Sequence, residues 1–277
     1  MRITVQGIDV FIRQSGTGPP LLFLHGNPDS ADLWDDVIGF INGHFRCFAA
    51  DLPGFGRSGP GPDFDCSFEN LGRFTGELVT GLGLEGRIFL VAHDFGGAFA
   101  MAWAALEPRR LAGLAVVNHP FFVAGYSWHF LARVWRTPWL GELSTWFMHR
   151  RPFFNIALKA GSKKLSARKI ESARSMVSPA MKKMVLKLYR AANAAAFREW
   201  QPKMLRATAL IPTLVLWGRH DPFIPSWVAD QFGADTVRRF ETSGHWLPAE
   251  EPRQVAAELL RFFSAQAEAK PAPGSDG

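Results

Sequence analysis

The sequence predicts an α/β protein with a mostly parallel central sheet flanked by helices, and with a helical lid inserted into it. Strand-like and helix-like segments alternate up to about residue 118 and again after residue 207. Between them, residues 119–206 lack strand alternation and carry 17 Lys and Arg but only three Glu. The whole chain has a net charge of only +6, so this contrast indicates that residues 119–206 form a separate structural unit.

The first part of the chain contains five strand candidates and three helix candidates, each indicated by the spacing of its apolar residues. A continuous apolar run such as LLFLHG is typical of a strand buried on both faces, whereas apolar residues three or four apart indicate a helix. In chain order the candidates are ITVQGIDVFIRQ (strand or hairpin), PPLLFLHG (strand), DSADLWDDVIGFIN (helix), FRCFAADLPG (strand), NLGRFTGELVTGLGL (helix), RIFLVAHD (strand), GGAFAMAWAALEP (helix) and LAGLAVVNHP (strand).

The predicted lid, residues 119–206, starts with an aromatic-rich stretch and continues with basic amphipathic helical stretches over residues 162–198. We expect most of its aromatic side chains to pack the lid onto the core: Phe121, Phe122, Trp128, Phe130, Trp135, Trp139, Trp146 and Phe147. The alternation then returns with IPTLVLWG (strand), SWVADQF (helix), TVRRFETSGH (strand and loop) and EPRQVAAELLRFFSAQ (helix). This divides the chain into a core of residues 1–118 and 207–265, the lid, and a tail of residues 266–277 that is disordered by composition.

Composition narrows the class of protein further. The chain is 47% hydrophobic and 20% charged, as in soluble globular proteins. Its two cysteines, Cys47 and Cys66, offer neither a disulfide framework nor the ligand spacing of a metal site. There is no signal peptide pattern and no apolar run of about 18 residues. We therefore expect a cytoplasmic monomer or homodimer without a cofactor, a metal, stable membrane insertion or nucleic-acid binding. The basic lid residues are expected to form a solvated face, and attraction to anionic substrates or to a membrane surface is the alternative interpretation.

A sharp turn in VAHDFGGAFA places Asp94 where many hydrolases carry a nucleophilic serine. The segment reads as a strand, a tight turn and a helix start rich in small residues, which is the layout of a nucleophile elbow. An ordinary turn whose Asp caps the helix is the alternative interpretation. Three further motifs support the elbow, because each follows a predicted strand: HGNP at residues 25–28, RHDP at residues 219–222 and SGHW at residues 243–246.

With these motifs, the sequence resembles the α/β-hydrolase fold superfamily over residues 1–265. In that superfamily the catalytic residues follow the order nucleophile, acid, histidine, so the resemblance implies Asp94, Asp221 and His245. It also implies an oxyanion hole formed by the backbone N–H groups of Asn27 and Phe95. A surface histidine without a catalytic role is the alternative interpretation of His245.

An aspartate nucleophile indicates attack on a saturated carbon that bears a leaving group. A serine would form an ether there, which water does not cleave under mild conditions, whereas Asp94 would form an ester that can be hydrolysed. His245 would then activate water for the second step, and Asp221 would orient its imidazole ring.

Two branches of the superfamily use this chemistry, haloalkane dehalogenases and epoxide hydrolases. Haloalkane dehalogenases hold the halide with the Asn of an HGNP-like loop and with a Trp directly after the nucleophile. Here that position is Phe95, which has no N–H donor on its side chain. A lid tryptophan could substitute, the candidates being Trp128, Trp135, Trp139 and Trp146. Fluoroacetate dehalogenases are disfavoured, because the Arg residues that they use after the nucleophile are absent.

Epoxide hydrolases of this fold use two lid tyrosines to protonate the oxygen that leaves when the ring opens. The chain contains two tyrosines in all, Tyr126 and Tyr189, and both fall in the predicted lid 63 residues apart. A phenol, with a reference pKa near 10, is a suitable acid for an alkoxide. Tyr126 comes sooner after Asp94 than the family spacing implies, and either tyrosine could instead be a packing residue.

The sequence therefore predicts an epoxide hydrolase that converts a small lipophilic epoxide and water into a vicinal diol. Trp128 and Phe122 are expected to line the substrate site. A haloalkane dehalogenase or a related enzyme with an Asp nucleophile remains the alternative. A non-catalytic ligand-binding or signalling member of the fold is a third hypothesis.

Overall fold

A computed structural model describes residues 1–61, 63–120, 126–148 and 150–268 of the chain. Within these residues one eight-stranded sheet forms the centre of the core, with strand order β1-β2-β4-β3-β5-β6-β7-β8. The pairs β1–β2 and β2–β4 are antiparallel and all others are parallel, which confirms the predicted fold class. The strands are β1 (Arg2–Val5), β2 (Ile8–Ser15), β3 (Pro20–Leu24), β4 (Arg46–Ala50), β5 (Ile88–His93), β6 (Leu111–Val117), β7 (Thr213–Gly218) and β8 (Thr236–Phe240).

The first strand candidate is a hairpin of two strands. Its connection consists of Gln6 and Gly7, which both have positive φ, at 49° and 74°. Positive φ at both central residues is the signature of the two-residue turn that matches the twist of a β-hairpin. Val5 and Ile8 are paired directly across this turn.

Eleven α-helices are assigned in the described residues, together with short 3₁₀ helices at Ala31–Trp34, Pro108–Arg110 and Ser226–Phe232. The α-helices are α1 (Asp35–Ile41), α2 (Phe68–Gly81), α3 (Gly96–Leu106), α4 (Phe130–Arg136), α5 (Leu140–Phe147), α6 (Arg151–Gly161), α7 (Ala167–Ser175), α8 (Pro179–Ala191), α9 (Ala194–Thr208), α10 (Leu247–Glu250) and α11 (Pro252–Glu268).

The sheet separates two hydrophobic cores, as the apolar run of β3 predicts. Leu22 and Leu24 belong to the core that contains residues of α2 and α3, whereas Leu21 and Phe23 belong to the core that contains residues of α1 and α11. All four side chains are fully buried. Alternation of side chains along a strand explains why consecutive residues enter opposite cores.

SWVADQF forms a helix, as predicted, and this helix is of the 3₁₀ type. Two predicted boundaries differ from the structure. Helix α9 continues past residue 206 to Thr208, because Ala207 and Thr208 are buried. Helix α11 reaches Glu268 and so includes the first three residues of the predicted tail, which are residues with moderate to high helix propensity. Residues 269–277 lie outside the described part of the chain.

Helices α4–α9 connect β6 to β7, and we call this helical segment the lid. It contacts the core through polar pairs, among them Lys169 Nζ with Asp36 Oδ2 at 2.8 Å and Ser162 with Glu250. The expectation that most lid aromatics pack onto the core is wrong for three of the described ones. Trp128 and Trp135 are buried, but Phe130, Trp139 and Trp146 are 73%, 86% and 52% exposed. Phe121 and Phe122 lie outside the described residues. In the described part of the chain, the helices are too short or too polar to cross a bilayer.

Candidate active site

The turn between β5 and α3 consists of Asp94 and Phe95. Asp94 has a φ of 46°, in the left-handed region that non-glycine residues rarely adopt, and strain of this kind is concentrated at functional sites. The helix start allows no side chain: a Cβ on Gly96 would lie 2.5 Å from the His25 carbonyl oxygen, and one on Gly97 would lie 2.3 Å from the His119 ring. The small residues of the motif are therefore required by close packing around the turn.

The carboxylate of Asp94 is buried and held by backbone donors. The Asn27 N–H donates to Oδ2 at 2.8 Å, and the Phe95 N–H also hydrogen-bonds the carboxylate. Burial raises the pKa of Asp94, although the nearby charge of His245 and these two hydrogen bonds oppose the rise. The two N–H groups that were predicted as an oxyanion hole therefore converge on this one side chain.

His245 lies between the two carboxylates, Asp94 and Asp221. Its Nδ1 donates to Asp221 Oδ2 at 2.8 Å. Its Nε2 is 4.0 Å from Asp94 Oδ1, which is too long for a hydrogen bond, so Nε2 remains available for a water molecule. Burial alone would lower the pKa of His245, but the charge and hydrogen bond of Asp221, with the charge of Asp94, raise it above its ordinary value.

Asn118 holds Asp221 in place, and sequence reasoning missed it. Its Nδ2 donates to Asp221 Oδ2 at 2.7 Å, and its Oδ1 accepts from the Gly218 N–H at 3.2 Å. The other oxygen of Asp221 accepts from the N–H groups of Phe223 and Ile224 at 2.8 and 3.0 Å. Asn118 directly follows β6, at the sheet edge where the parallel strands end and where ligands bind in open α/β sheets, and that position was the available signal.

Three of the other histidines support the backbone of the site. A ring nitrogen of His93 bonds the His245 carbonyl oxygen at 2.9 Å, and one of His119 bonds the Asp94 carbonyl oxygen at 2.7 Å. His25 Nε2 accepts from the Leu52 N–H at 3.0 Å. Burial lowers the pKa of all three, that of His119 to about 4, so the rings are neutral at pH 7.

A cavity of about 400 Å³ lies under the lid and is lined by two residues of the candidate triad, Asp94 and His245. Of the sequence-predicted residues, Tyr126, Trp128 and Tyr189 line it together with Asp94 and His245, and among the tryptophan candidates Trp135 also lines it. The sequence did not predict that His129 lines the cavity, and it did not predict most of the apolar residues of the lining. The lining residues are Asn27, Pro28, Asp94, Pro120, Tyr126, Trp128, His129, Leu131, Trp135, Ser144, Phe147, Met148, Phe153, Phe154, Ala157, Leu158, Tyr189, Phe223, Ile224, His245 and Trp246.

The two tyrosines lie in the electrostatic field of Asp94. Burial and the charge of Asp94 raise the pKa of both hydroxyls well above 10, although a hydrogen bond with the Asn27 side chain partly opposes the rise at Tyr189. Both hydroxyls therefore keep their proton at neutral pH. The Phe95 ring lies 4.6 Å from the Tyr189 ring and stacks at 6.3 Å on Trp128, so it packs against two aromatic rings that line the cavity.

No group of three or more His, Cys, Asp or Glu that could hold a metal ion occurs in the described ranges.

The chain belongs to the alpha/beta hydrolase fold family, whose sequence profile matches residues 19–252. Among curated proteins, it is 27% identical over 271 residues to Haloalkane dehalogenase 2 of Mycobacterium tuberculosis, covering 90% of this chain and 89% of that protein. It is also 27% identical over 278 residues to Epoxide hydrolase 3 of Mus musculus, covering 90% of this chain and 71% of that protein. The protein is thus a hydrolase of the branch that contains haloalkane dehalogenases and epoxide hydrolases.

Solved structures show the same fold. The crystal structure of haloalkane dehalogenase DbeA from Bradyrhizobium elkani superposes with a TM-score of 0.83 at 24% identity, over 96% of this chain and 98% of that one.

Proposed function

We propose that this protein is an epoxide hydrolase that opens an oxirane to a vicinal diol through a covalent ester on Asp94. The observation that carries the proposal is the composition of the cavity beside Asp94: two protonated tyrosines line it, and the neighbour of Asp94 is the donorless Phe95. An epoxide oxygen needs a proton when it leaves, whereas a halide needs N–H donors.

In the first step, Asp94 Oδ1 attacks an oxirane carbon and the ring C–O bond breaks. The released oxygen takes a proton from Tyr189 or Tyr126, so the product is a hydroxyalkyl ester of Asp94. Oδ1 is suited to attack because the Asn27 N–H binds the other oxygen, Oδ2. The raised pKa of both phenols keeps them protonated as donors over the neutral range.

In the second step, His245 Nε2 takes a proton from a water molecule, and the hydroxide attacks the ester carbonyl carbon of Asp94. The N–H groups of Asn27 and Phe95 stabilise the oxyanion that forms on the carbonyl oxygen. Asp221 stabilises the imidazolium, and Asn118 orients Asp221. The bond between the carbonyl carbon and the alkyl oxygen then breaks, and this oxygen takes the proton from the His245 imidazolium. The acid proton of the regenerated Asp94 carboxyl returns to the tyrosinate, so the diol leaves and Asp94 keeps one oxygen from water.

A haloalkane dehalogenase is the second candidate. The curated relatives that bear this name favour it, and so does Asn27, which lines the cavity next to Asp94. Phe95 disfavours a dehalogenase, because haloalkane dehalogenases carry at this position a Trp whose N–H holds the halide. The same covalent ester would form in both reactions, so the leaving group alone separates the two candidates.

The test is to measure diol formation from styrene oxide and bromide release from bromohexane with one enzyme preparation. We expect diol formation that is abolished in Asp94→Ala, and reduced by about 100-fold in Tyr189→Phe, because general acid catalysis typically contributes about 10²–10⁴-fold. Trp227→Phe, a change on the core surface, serves as a matched aromatic control and should leave the rate unchanged. Bromide release without diol formation would instead establish the dehalogenase.

A further inference from the structure

The lid carries a band of exposed apolar side chains, which we call the lid patch. On α5 and its N-terminal cap, exposed apolar side chains are three or four residues apart, so they lie on one face of the helix. Two more exposed apolar side chains follow on α6. All are more than half exposed: Trp139 86%, Leu140 53%, Leu143 57%, Trp146 52%, Phe153 56% and Ile156 68%. Globular proteins rarely expose so many large apolar residues together unless the surface binds a partner.

The lid patch is continuous with the mouth of the cavity. The ring of Phe147 lies 4.6 Å from that of Trp146 and 5.5 Å from that of Phe153. Phe147 and Phe153 also line the cavity next to Asp94, and Phe153 is more than half exposed. A lipophilic molecule could thus pass from the lid patch into the cavity along one apolar surface.

The charge around the lid patch is strongly positive. Residues 130–161 contain five Lys and Arg and one Glu, and that residue, Glu142, is paired with Arg190 at 2.8 Å. Arg150 lies over the Trp146 ring at 4.2 Å, inside the patch. Among the described residues, no carboxylate lies within ion-pair distance of Arg150 or of the exposed Arg133. Aromatic side chains interleaved with Arg are the pattern of a surface that binds the interface of an anionic bilayer.

We propose that the lid patch docks on anionic phospholipid bilayers, with its aromatic residues in the headgroup region and the cavity mouth facing the membrane. A second copy of the chain is the less suitable occupant, because the lid carries 17 Lys and Arg against three Glu and two lids would repel each other. An anionic bilayer supplies both the opposite charge and an apolar interior. Docking does not depend on which leaving group the enzyme removes.

The test is co-sedimentation of the protein with vesicles of phosphatidylcholine alone and of phosphatidylcholine mixed with phosphatidylglycerol. We expect binding to the mixed vesicles only, weakening as salt is raised. The variant Arg133→Gln/Arg150→Gln should bind them about fivefold more weakly for each residue replaced. The variant Trp139→Asn/Leu143→Gln/Trp146→Gln should lose about tenfold or more of the partition coefficient.

The matched control is Leu210→Gln/Trp227→Gln, which replaces exposed apolar residues outside the lid patch and should bind like the unmodified protein. Thermal melting of all variants excludes unfolding as the cause of a loss. Absence of binding to the mixed vesicles, or equal loss in the control, would overturn the proposal. A dimer in light scattering that the triple patch variant dissociates, without vesicle binding, would overturn it in favour of a subunit interface.

Discussion

Asp94 and Phe95 lie side by side in one turn and affect different parts of the proposed chemistry. Asp94 is the buried carboxylate whose Oδ2 is held by Asn27 and whose Oδ1 faces His245. Phe95 contributes only its backbone N–H to the carboxylate, and its ring packs on Tyr189. In the proposed reaction Asp94 attacks a carbon that bears a leaving group, and Phe95 favours a leaving group that needs protonation rather than N–H donors.

The pH dependence of the reaction follows from the pKa shifts of these residues. Burial raises the pKa of Asp94 above 3.8, so kcat/KM should fall in acid with a midpoint above that value. Where hydrolysis of the ester limits kcat, kcat should fall as His245 gains a proton. The raised pKa of both tyrosines should keep the alkaline limb above pH 10.

Profiles of kcat and kcat/KM against pH check these expectations. The charge of Asp221 raises the pKa of His245, so Asp221→Asn should lower kcat and also move its acid limb to lower pH. An alkaline fall that begins below pH 10 and disappears in Tyr189→Phe would contradict the account.

At the level of elements, the sequence predicted the residues whose positions are determined by the ends of strands. Buried strands are recognisable from their apolar runs, and Asp94 and Asp221 follow two of them, β5 and β7. His245 follows β8, a partly exposed strand, and its SGHW motif rather than an apolar run made its position at the same sheet edge predictable. Asn118 was not, because its contact with Asp221 depends on the pairing of β6 with β7, in which Val117 lies opposite Leu216. An Asn after a strand carries no distinctive pattern of its own.

The approach of the β3 loop to the elbow gives a prediction at this scale. A Cβ on Gly26 would lie 2.4 Å from Asp94 Cβ and 2.6 Å from its Oδ2. Gly26→Ala should therefore displace Asp94 and lower kcat/KM by about 100-fold, the usual effect of a misplacement of about 1 Å.

The matched control for this change is Gly39→Ala in α1. A Cβ there meets nothing within 4 Å, so activity should be retained, and the helix should gain up to about 1 kcal/mol of stability. Steady-state kinetics and thermal melting of both variants are the measurements. Gly26→Ala with normal kinetics would show that Asp94 does not need its observed position.

At the scale of the whole molecule, the arrangement of the lid was the least predictable part. Its helical character and basic charge follow from the sequence, but the general rule that aromatic residues are buried gave the wrong environment for Phe130, Trp139 and Trp146. The position of Tyr126 in the cavity also depends on how the lid folds back over Asp94. Neither the exposure of these aromatic residues nor the position of Tyr126 follows from the spacing of residues along the chain.

The apolar cavity under the lid predicts a preference for lipophilic substrates. Burial of each added methylene contributes about 0.8 kcal/mol, so kcat/KM should rise about fourfold per methylene along a series from epoxybutane to epoxyoctane until the cavity is filled. Diol formation measured along this series is the check, with glycidol as the polar control. A kcat/KM that does not rise along the series, or glycidol being hydrolysed faster than the apolar epoxides, would contradict an apolar substrate site.

The most direct test of the central claim is to trap the ester on Asp94. His245→Gln removes the group that activates water but leaves the first step intact, so incubation with styrene oxide should give a protein heavier by one whole epoxide molecule. Mass spectrometry of the peptide that contains Asp94 should place the addition on that residue. An unmodified Asp94 in an otherwise folded variant, or the same adduct in a protein carrying Asp94→Ala as well, would contradict the account.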